Sequence, residues 1–304
     1  MTGYDRCMLC PHRCGADRSK GKTGYCKMTD VVCAARASLH MWEEPCLSGE
    51  RGAGTVFFSG CNMQCIYCQN SPISTGAGDN TGVVGKNVTV ERLADIFFEL
   101  EQKGAHNIDL VTPTHFMPSV RDAIIMAKNR NISIPFAYNT GGYENAGCIK
   151  ELDGLIDIYL PDMKYYDEKT AVALSNAKGY FKYASEALEE MVRQTGECVF
   201  DEAGMMKKGV IVRHLVLPGH GDDSKKIIKY LYETYGDKIF ISIMNQYTPM
   251  KTFENYPELN VKLSEKEYDE VVDFAIEIGV ENGFIQEGDA SGESFIPLFE
   301  CEGI

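Results

Sequence analysis

The spacing of hydrophobic residues changes repeatedly along the chain after residue 50. Short runs of β-branched and aromatic residues, typical of strands, alternate with stretches in which apolar residues recur every three or four positions, typical of helices. VERLADIFFEL at residues 90–100, for example, is predicted to be an amphipathic helix. The predicted strands are 55–59, 107–112, 134–139, 155–160, 209–218 and 238–246.

This alternation predicts an α/β fold made of repeated βα units on a parallel sheet. Six such units can close partly into a barrel or lie open as a doubly wound sheet, and periodicity alone favours neither. In both cases functional groups are expected at the carboxyl ends of the strands. The last helix has the clearest ends, because Ser264 and Glu267 form a capping box and Gly279 occupies a C-terminal cap position.

Composition and charge narrow the classes of function. The chain has 304 residues, of which 44% are hydrophobic, and a net charge of -14, which disfavours a nucleic-acid or anionic-membrane partner. No apolar run reaches the roughly 18 residues of a membrane span. The N-terminal sequence MTGYDRCMLCPHRC lacks the apolar core of a signal peptide, so a cytoplasmic protein is expected.

Cysteine is concentrated at one end, with nine of the twelve before residue 70. Cys61, Cys65 and Cys68 form a C-x3-C-x2-C run directly after the first predicted strand. A structural zinc site takes four ligands, whereas three thiolates leave one iron of a 4Fe-4S cluster open to a small molecule. The alternatives are buried free thiols, or a zinc site completed by a distant residue such as His40.

A second group of cysteines, Cys7, Cys10, Cys14 and Cys26, lies in a segment rich in glycine and basic residues. Such a segment cannot build a core of its own, and four thiols predict a small module held together by a metal. A structural zinc ion and an auxiliary iron-sulfur cluster both fit the spacing. The following AARASLHMWEE, residues 34–44, predicts a strand and turn that pack the module on the larger domain.

The run FFSGCNMQCIYCQN, with LCPHRCG upstream and RHLVLPG downstream, resembles the radical S-adenosylmethionine superfamily, and within it the group related to pyruvate formate-lyase activating enzyme. The resemblance implies a partial (β/α)6 TIM-like barrel behind a small Cys-rich N-terminal module. It further implies an oxidoreductase or lyase in which Cys61, Cys65 and Cys68 hold a 4Fe-4S cluster. The open iron would chelate S-adenosylmethionine, whose reductive cleavage gives a 5'-deoxyadenosyl radical that abstracts hydrogen from the substrate.

The resemblance also implies partners. An electron donor such as flavodoxin or ferredoxin would reduce the cluster, and the substrate would be a glycine of a glycyl radical enzyme or a small molecule. A non-catalytic iron-sulfur or zinc protein, for electron transfer or scaffolding, is the alternative from a different class. The expected organisation is a metal-binding module at 1–50, a radical core at 51–290 and a tail at 291–304.

Cofactor contacts are carried over position by position from this resemblance. VTPTHF stands where the superfamily usually has Gly-Gly-Glu, so that Thr112, Thr114 and His115 would supply the contacts to the cofactor amine. Asn139 follows the third strand in YNTGG.

The remaining predicted contacts follow later strands or the cysteine run itself. Asp162 and Lys164 match an Asp-x-Lys whose lysine lies near the cofactor carboxylate. Arg213 lies within an apolar strand and is expected to have an anionic partner. Tyr67 is the aromatic residue before the last cysteine of the run.

Overall fold

The computed structural model describes residues 3–75, 84–286 and 297–304, and in these ranges a single large sheet dominates the fold. Its strands run in the order β10-β9-β8-β6-β5-β4-β2-β1-β3, with β7 paired to β8. The strands are β1 (Val32–His40), β2 (Ala53–Phe58), β3 (Lys86–Val88), β4 (Ile108–Val111), β5 (Phe136–Thr140), β6 (Ile158–Pro161), β7 (Val199–Phe200), β8 (Met206–Leu215), β9 (Phe240–Met244) and β10 (Gly283–Ile285).

The strands β2, β4, β5, β6, β8, β9 and β10 pair in parallel along the sheet. The sheet is open in the described ranges, so the α/β fold with an incomplete barrel is confirmed. Every residue of β2, β5 and β6 is buried, as expected for parallel strands covered on both faces. Because these strands are parallel, their carboxyl ends lie at one edge of the sheet, where the predicted site residues fall.

Helices fill the crossovers between the parallel strands. In α3 the side chain of Thr89 caps the first turn, and Leu93, Ile96 and Phe97 are fully buried, each contributing about 1.5–3 kcal/mol. The helices are α1 (Pro45–Ser48), α2 (Ser71–Ser74), α3 (Val90–Gln102), α4 (Met117–Asn129), α5 (Ala146–Lys150), α6 (Glu168–Ser175), α7 (Tyr180–Thr195), α8 (Gly221–Tyr235) and α9 (Glu265–Glu277). None of those in the described ranges is long and apolar enough to cross a membrane.

The six predicted strands and the capping box of α9 are confirmed. Ser264 accepts a hydrogen bond from the backbone N–H of Glu267, and the Glu267 carboxylate accepts one from the Ser264 hydroxyl. The predicted strand at 34–44 is also present, as β1, which pairs antiparallel with β2. The strands β3 and β10 are additional; each has only three residues, too few for a periodic pattern.

The two terminal segments pack at different places, the N-terminal one on α4 and the C-terminal one on β1. The N-terminal segment contacts the start of α4, since the Tyr4 hydroxyl shares a 2.9 Å hydrogen bond with Ser119. In the C-terminal segment, Cys301 N–H donates to the Ala35 carbonyl, and Glu302 accepts a hydrogen bond from Ala37 N–H. The predicted boundary between core and tail at 290–291 lies outside the described residues.

Candidate active site

The carboxyl end of β2 leads into the loop of residues 59–70, here called the radical loop, which carries three cysteines. Cys61, Cys65 and Cys68 are partly exposed and line one cavity of about 390 Å³. Such a volume falls in the range of roughly 300–1,000 Å³ typical of small-molecule sites. Gly60, with φ of 83°, has no room for a side chain, because a Cβ there would lie 2.7 Å from the Cys26 carbonyl.

Each sulfur of the radical loop accepts a hydrogen bond. The backbone N–H of Met63 lies 3.3 Å from Cys61 Sγ, and the Ser74 hydroxyl lies 3.4 Å from Cys68 Sγ. Burial, with further contributions from Cys65 and Cys68, raises the pKa of Cys61 to about 12. The free thiol is therefore protonated at neutral pH, and a metal must displace the proton on binding.

The donor set agrees with an iron-sulfur cluster. Three thiols on one loop, each next to a hydrogen-bond donor, suit a cluster in which each iron takes one thiolate. In the described ranges, no group of three or more His, Cys, Asp or Glu side chains is already placed to hold a metal ion. The three thiols would thus approach a cluster by side-chain rotation.

A buried chain of hydroxyl groups connects the cavity wall to Cys65. Tyr67 lines the cavity, and its hydroxyl shares a 2.6 Å hydrogen bond with that of Tyr165. Tyr165 shares a second bond of 2.6 Å with Ser175, and Ser175 donates to Cys65 Sγ at 2.9 Å. Since both Tyr165 and Ser175 are almost completely buried, this donor is fixed in place.

The carboxyl end of β6 adds a cation to the same cavity. Lys164 Nζ lies 2.6 Å from Asp162 Oδ2. Burial would lower the pKa of Lys164, but the Asp162 carboxylate and the thiols of Cys65 and Cys68 outweigh it, so the pKa is raised. Lys164 is therefore charged and lies close to the radical loop.

Arg213 on β8 also lines the cavity and has the anionic partners that its buried position required. Its Nε donates to Glu44 Oε1 at 2.9 Å, and its Nη2 donates to both Glu43 and Glu44. Burial would lower the pKa of Arg213, but the two carboxylates raise it well above its usual value. The charge of Arg213 is thus already compensated within the protein.

Asn139, at the end of β5, lines the cavity next to a buried carboxyl group. Its side-chain amide lies 3.4 Å from Asp109 Oδ2 on β4. Burial, together with the nearby Glu43, raises the pKa of Asp109 well above its usual value. The shift favours the neutral form of the Asp109 carboxyl group, next to the arginine and its two carboxylates.

The three predicted residues after β4 separate. Thr112 lines the cavity, whereas Thr114 is buried and its hydroxyl contacts Glu144. His115 Nε2–H donates to the Ser59 carbonyl at 2.7 Å, and burial lowers its pKa to about 3. The structure therefore brings Thr112 to the site but directs Thr114 and His115 into the protein interior.

Four residues at or next to this site were not predicted from the sequence: Glu43, Glu44, Asp109 and Ser175. The two glutamates lie in the expected strand-and-turn segment, where a carboxylate pair beside a hydrophobic strand is the available signal. Asp109 interrupts the apolar strand NIDLVT, which is a second signal. Ser175, at the end of α6, carries none, because serine is ordinary at a helix end.

The N-terminal cysteines form a separate group. Cys7, Cys10 and Cys26 are buried, and Cys14 is exposed. This group does not line the cavity of the radical loop. The backbone of this segment nevertheless lies next to that loop, because the Cys26 carbonyl is close to Gly60.

Comparison with known proteins extends these observations. The sequence pattern of the Radical SAM superfamily matches residues 55–231. An uncharacterised protein of Methanocaldococcus jannaschii is 27% identical over 278 residues, which cover 90% of this chain and 75% of that protein.

Solved structures give a likeness in fold. HydG, a maturase of the FeFe-hydrogenase, has a TM-score of 0.52 at 17% identity, covering 85% of this chain and 58% of HydG. Streptococcus suis SuiB bound to S-adenosylmethionine has a TM-score of 0.48 at 12% identity, covering 75% of this chain and 48% of SuiB. This chain thus spans about half the length of SuiB. Because the superfamily pattern covers more than half of the sequence, the chain belongs to the Radical SAM superfamily.

Proposed function

We propose that this protein reductively cleaves S-adenosylmethionine at a 4Fe-4S cluster held by Cys61, Cys65 and Cys68, and abstracts a hydrogen atom from a substrate. The observation that carries the proposal is the meeting of three thiols and a charged lysine in one cavity. When bound, the cluster supplies the electron for cleavage and an open iron for the cofactor. The protein supplies the thiolates, their hydrogen-bond donors and a contact for the cofactor carboxylate.

Lys164 is proposed to bind the carboxylate of S-adenosylmethionine. It is charged, lies beside the radical loop and is oriented by Asp162, which leaves its other ammonium hydrogens for a ligand. Tyr67, Thr112 and Asn139 offer further cofactor contacts on the cavity wall. Arg213 is proposed to act indirectly, by holding Glu43 and Glu44 in the wall, because its guanidinium already binds two carboxylates whereas Lys164 binds one.

The experiment is anaerobic reconstitution with iron and sulfide, followed by dithionite and S-adenosylmethionine. We expect methionine and 5'-deoxyadenosine to accumulate, measured by liquid chromatography. Cys65→Ala is the matched variant without a complete ligand set. A reconstituted cluster that yields neither product would reject the enzyme and leave the non-catalytic iron-sulfur or zinc protein.

We further propose a protein glycine as substrate, as the likeness to the pyruvate formate-lyase activating group suggests. Exposed apolar side chains at the cavity rim support a macromolecular partner: Trp42 and Ile285 line the cavity and are 60% and 51% exposed. Incubation with a glycyl radical enzyme should give a glycine-centred doublet in electron paramagnetic resonance. Cofactor cleavage without that signal, for every glycyl radical enzyme of the same genome, would reject this substrate class in favour of a small molecule.

A further inference from the structure

Short backbone turns bring the cysteines of the N-terminal module together. The N–H of Cys7 donates to the Ala16 carbonyl at 3.0 Å, and the Cys7 and Cys14 side chains share a hydrogen bond. A Cβ placed on Gly24 would lie 3.2 Å from Cys14 Sγ and 3.6 Å from Cys26 Sγ. Glycine at this position therefore lets the backbone approach two of the sulfurs closely.

Three of the four sulfurs accept hydrogen bonds from the backbone. In Cys10, Cys14 and Cys26 the donor is the N–H group two residues further along the chain. Burial raises the pKa of Cys10 and Cys26, and these donors oppose that rise by favouring the thiolate, which is the form that binds metals. The three donors are the amides of His12, Ala16 and Met28.

A buried arginine next to these sulfurs lacks an anionic partner. Arg18 is 0% exposed, and its guanidinium donates to the carbonyls of Met28, Thr29 and His115 and, at 3.7 Å, to Cys7 Sγ. Within the described ranges no carboxylate forms an ion pair with it. A buried cation whose acceptors are all neutral is costly, so an anion is expected beside it.

We propose that Cys7, Cys10, Cys14 and Cys26 form a four-thiolate metal site with Arg18 as its counter-ion. Four thiolates around a divalent metal carry an excess negative charge, which compensates the buried guanidinium. The metal is thiophilic, either a zinc ion or the iron of an iron-sulfur centre. Within the described ranges no three of these side chains are already placed to hold a metal, so the site requires rotation of the cysteine side chains within the one small module that carries all four.

The same module holds the radical loop. His12 Nε2–H donates to the Asn62 carbonyl at 2.8 Å, and the Gln64 side-chain amide donates to the Tyr25 carbonyl at 2.6 Å. The rings of His12 and Tyr25 stack with centroids 3.7 Å apart. His12 lies between two of the cysteines and Tyr25 immediately precedes Cys26, so the proposed metal would fix both contacts to the loop.

The test uses the full chain with Cys61, Cys65 and Cys68 replaced by alanine, which removes the radical cluster and makes the result independent of the proposed function. One portion is loaded with zinc, and another is reconstituted anaerobically with iron and sulfide. Elemental analysis should find one metal centre per chain in at least one of them. Zinc alone would identify a structural site, and iron with sulfide a second cluster.

Adding Cys14→Ser to this background should weaken metal binding about tenfold or more. Cys14 is exposed, so its replacement spares the fold, and Cys198→Ser on the same background is the matched control. Binding of neither metal, or equal binding by the two variants, would overturn the site. In the otherwise native chain, Cys14→Ser should accelerate hydrogen exchange in residues 59–68, and unchanged exchange would overturn the coupling to the radical loop.

Discussion

Two walls of the cavity differ in the partners of their polar side chains. The thiol wall, defined by Cys61, Cys65 and Cys68, meets neutral hydroxyl and amide donors. The ion-paired wall, defined by Arg213, Glu43 and Glu44, satisfies its charges internally. A ligand can therefore bind at the thiol wall and the neighbouring Lys164. The ion-paired wall has its charges matched within the protein, and breaking that match should destabilise the fold.

The largest expected effect lies in the thiol wall. Cys65→Ala removes one of the three proposed iron ligands and should reduce cleavage of S-adenosylmethionine roughly a thousandfold or more. The rate of cleavage is measured as formation of methionine and 5'-deoxyadenosine after anaerobic reconstitution, with Cys198→Ser as the control variant. Cleavage at the native rate would show that the radical loop does not hold the cluster.

On the ion-paired wall, Arg213→Met should lower the free energy of unfolding by about 3 kcal/mol, because the buried carboxylates of Glu43 and Glu44 lose the cation that they share. Urea denaturation monitored by circular dichroism measures the loss. Glu202→Ala, at an exposed position, is the control and should change little. Equal stability of the two variants would contradict the division of roles between the walls.

Lys164→Met tests the cation between the walls. Loss of a charged hydrogen bond should weaken binding of S-adenosylmethionine about 10- to 100-fold. Equilibrium binding to the reconstituted protein provides the measurement, and Lys169→Met, an exposed lysine on α6, provides the control. If both variants bind the cofactor as the native protein does, the carboxylate contact lies elsewhere.

The smallest effect is expected from Ser175→Ala, which removes the hydroxyl that donates to Cys65. Without this donor the reduced cluster is less stabilised, so the midpoint potential should become more negative. One hydrogen bond of about 1 kcal/mol corresponds to a few tens of millivolts. Potentiometric titration followed by electron paramagnetic resonance would detect the shift, and Ser185→Ala, on the neighbouring helix α7, should leave the potential unchanged.

Local patterns predicted much of this molecule. Strand periodicity located the six main strands, and the Ser264–Glu267 spacing located the start of α9, because both depend on neighbouring residues. The C-x3-C-x2-C spacing likewise placed three thiols on one loop after a strand. Each of these features involves only residues that are close together in the sequence.

Long-range pairing was beyond the sequence pattern. Arg213 was expected to have an anionic partner, but Glu44 lies 169 residues away, and only the fold brings the two together. Thr114 and His115 were expected at the cavity but lie in the interior. The 3-10 turn that follows the strand rotates their side chains away from the cavity. The direction in which a side chain points after the end of a strand depends on the turn that follows, and the strand pattern does not specify that turn.

The anchoring of the radical loop bears on how the protein matures. Asn62 is held from two sides, by His12 at its carbonyl and by the Tyr143 carbonyl at its side-chain amide, 2.6 Å away. The backbone of the loop is thus positioned by the polypeptide itself, although within the described ranges the three thiols are not yet arranged to hold a metal. Unlike small domains that fold only around their metal, a loop anchored in this way would need only side-chain rotation, and no folding of the domain, to receive the proposed cluster.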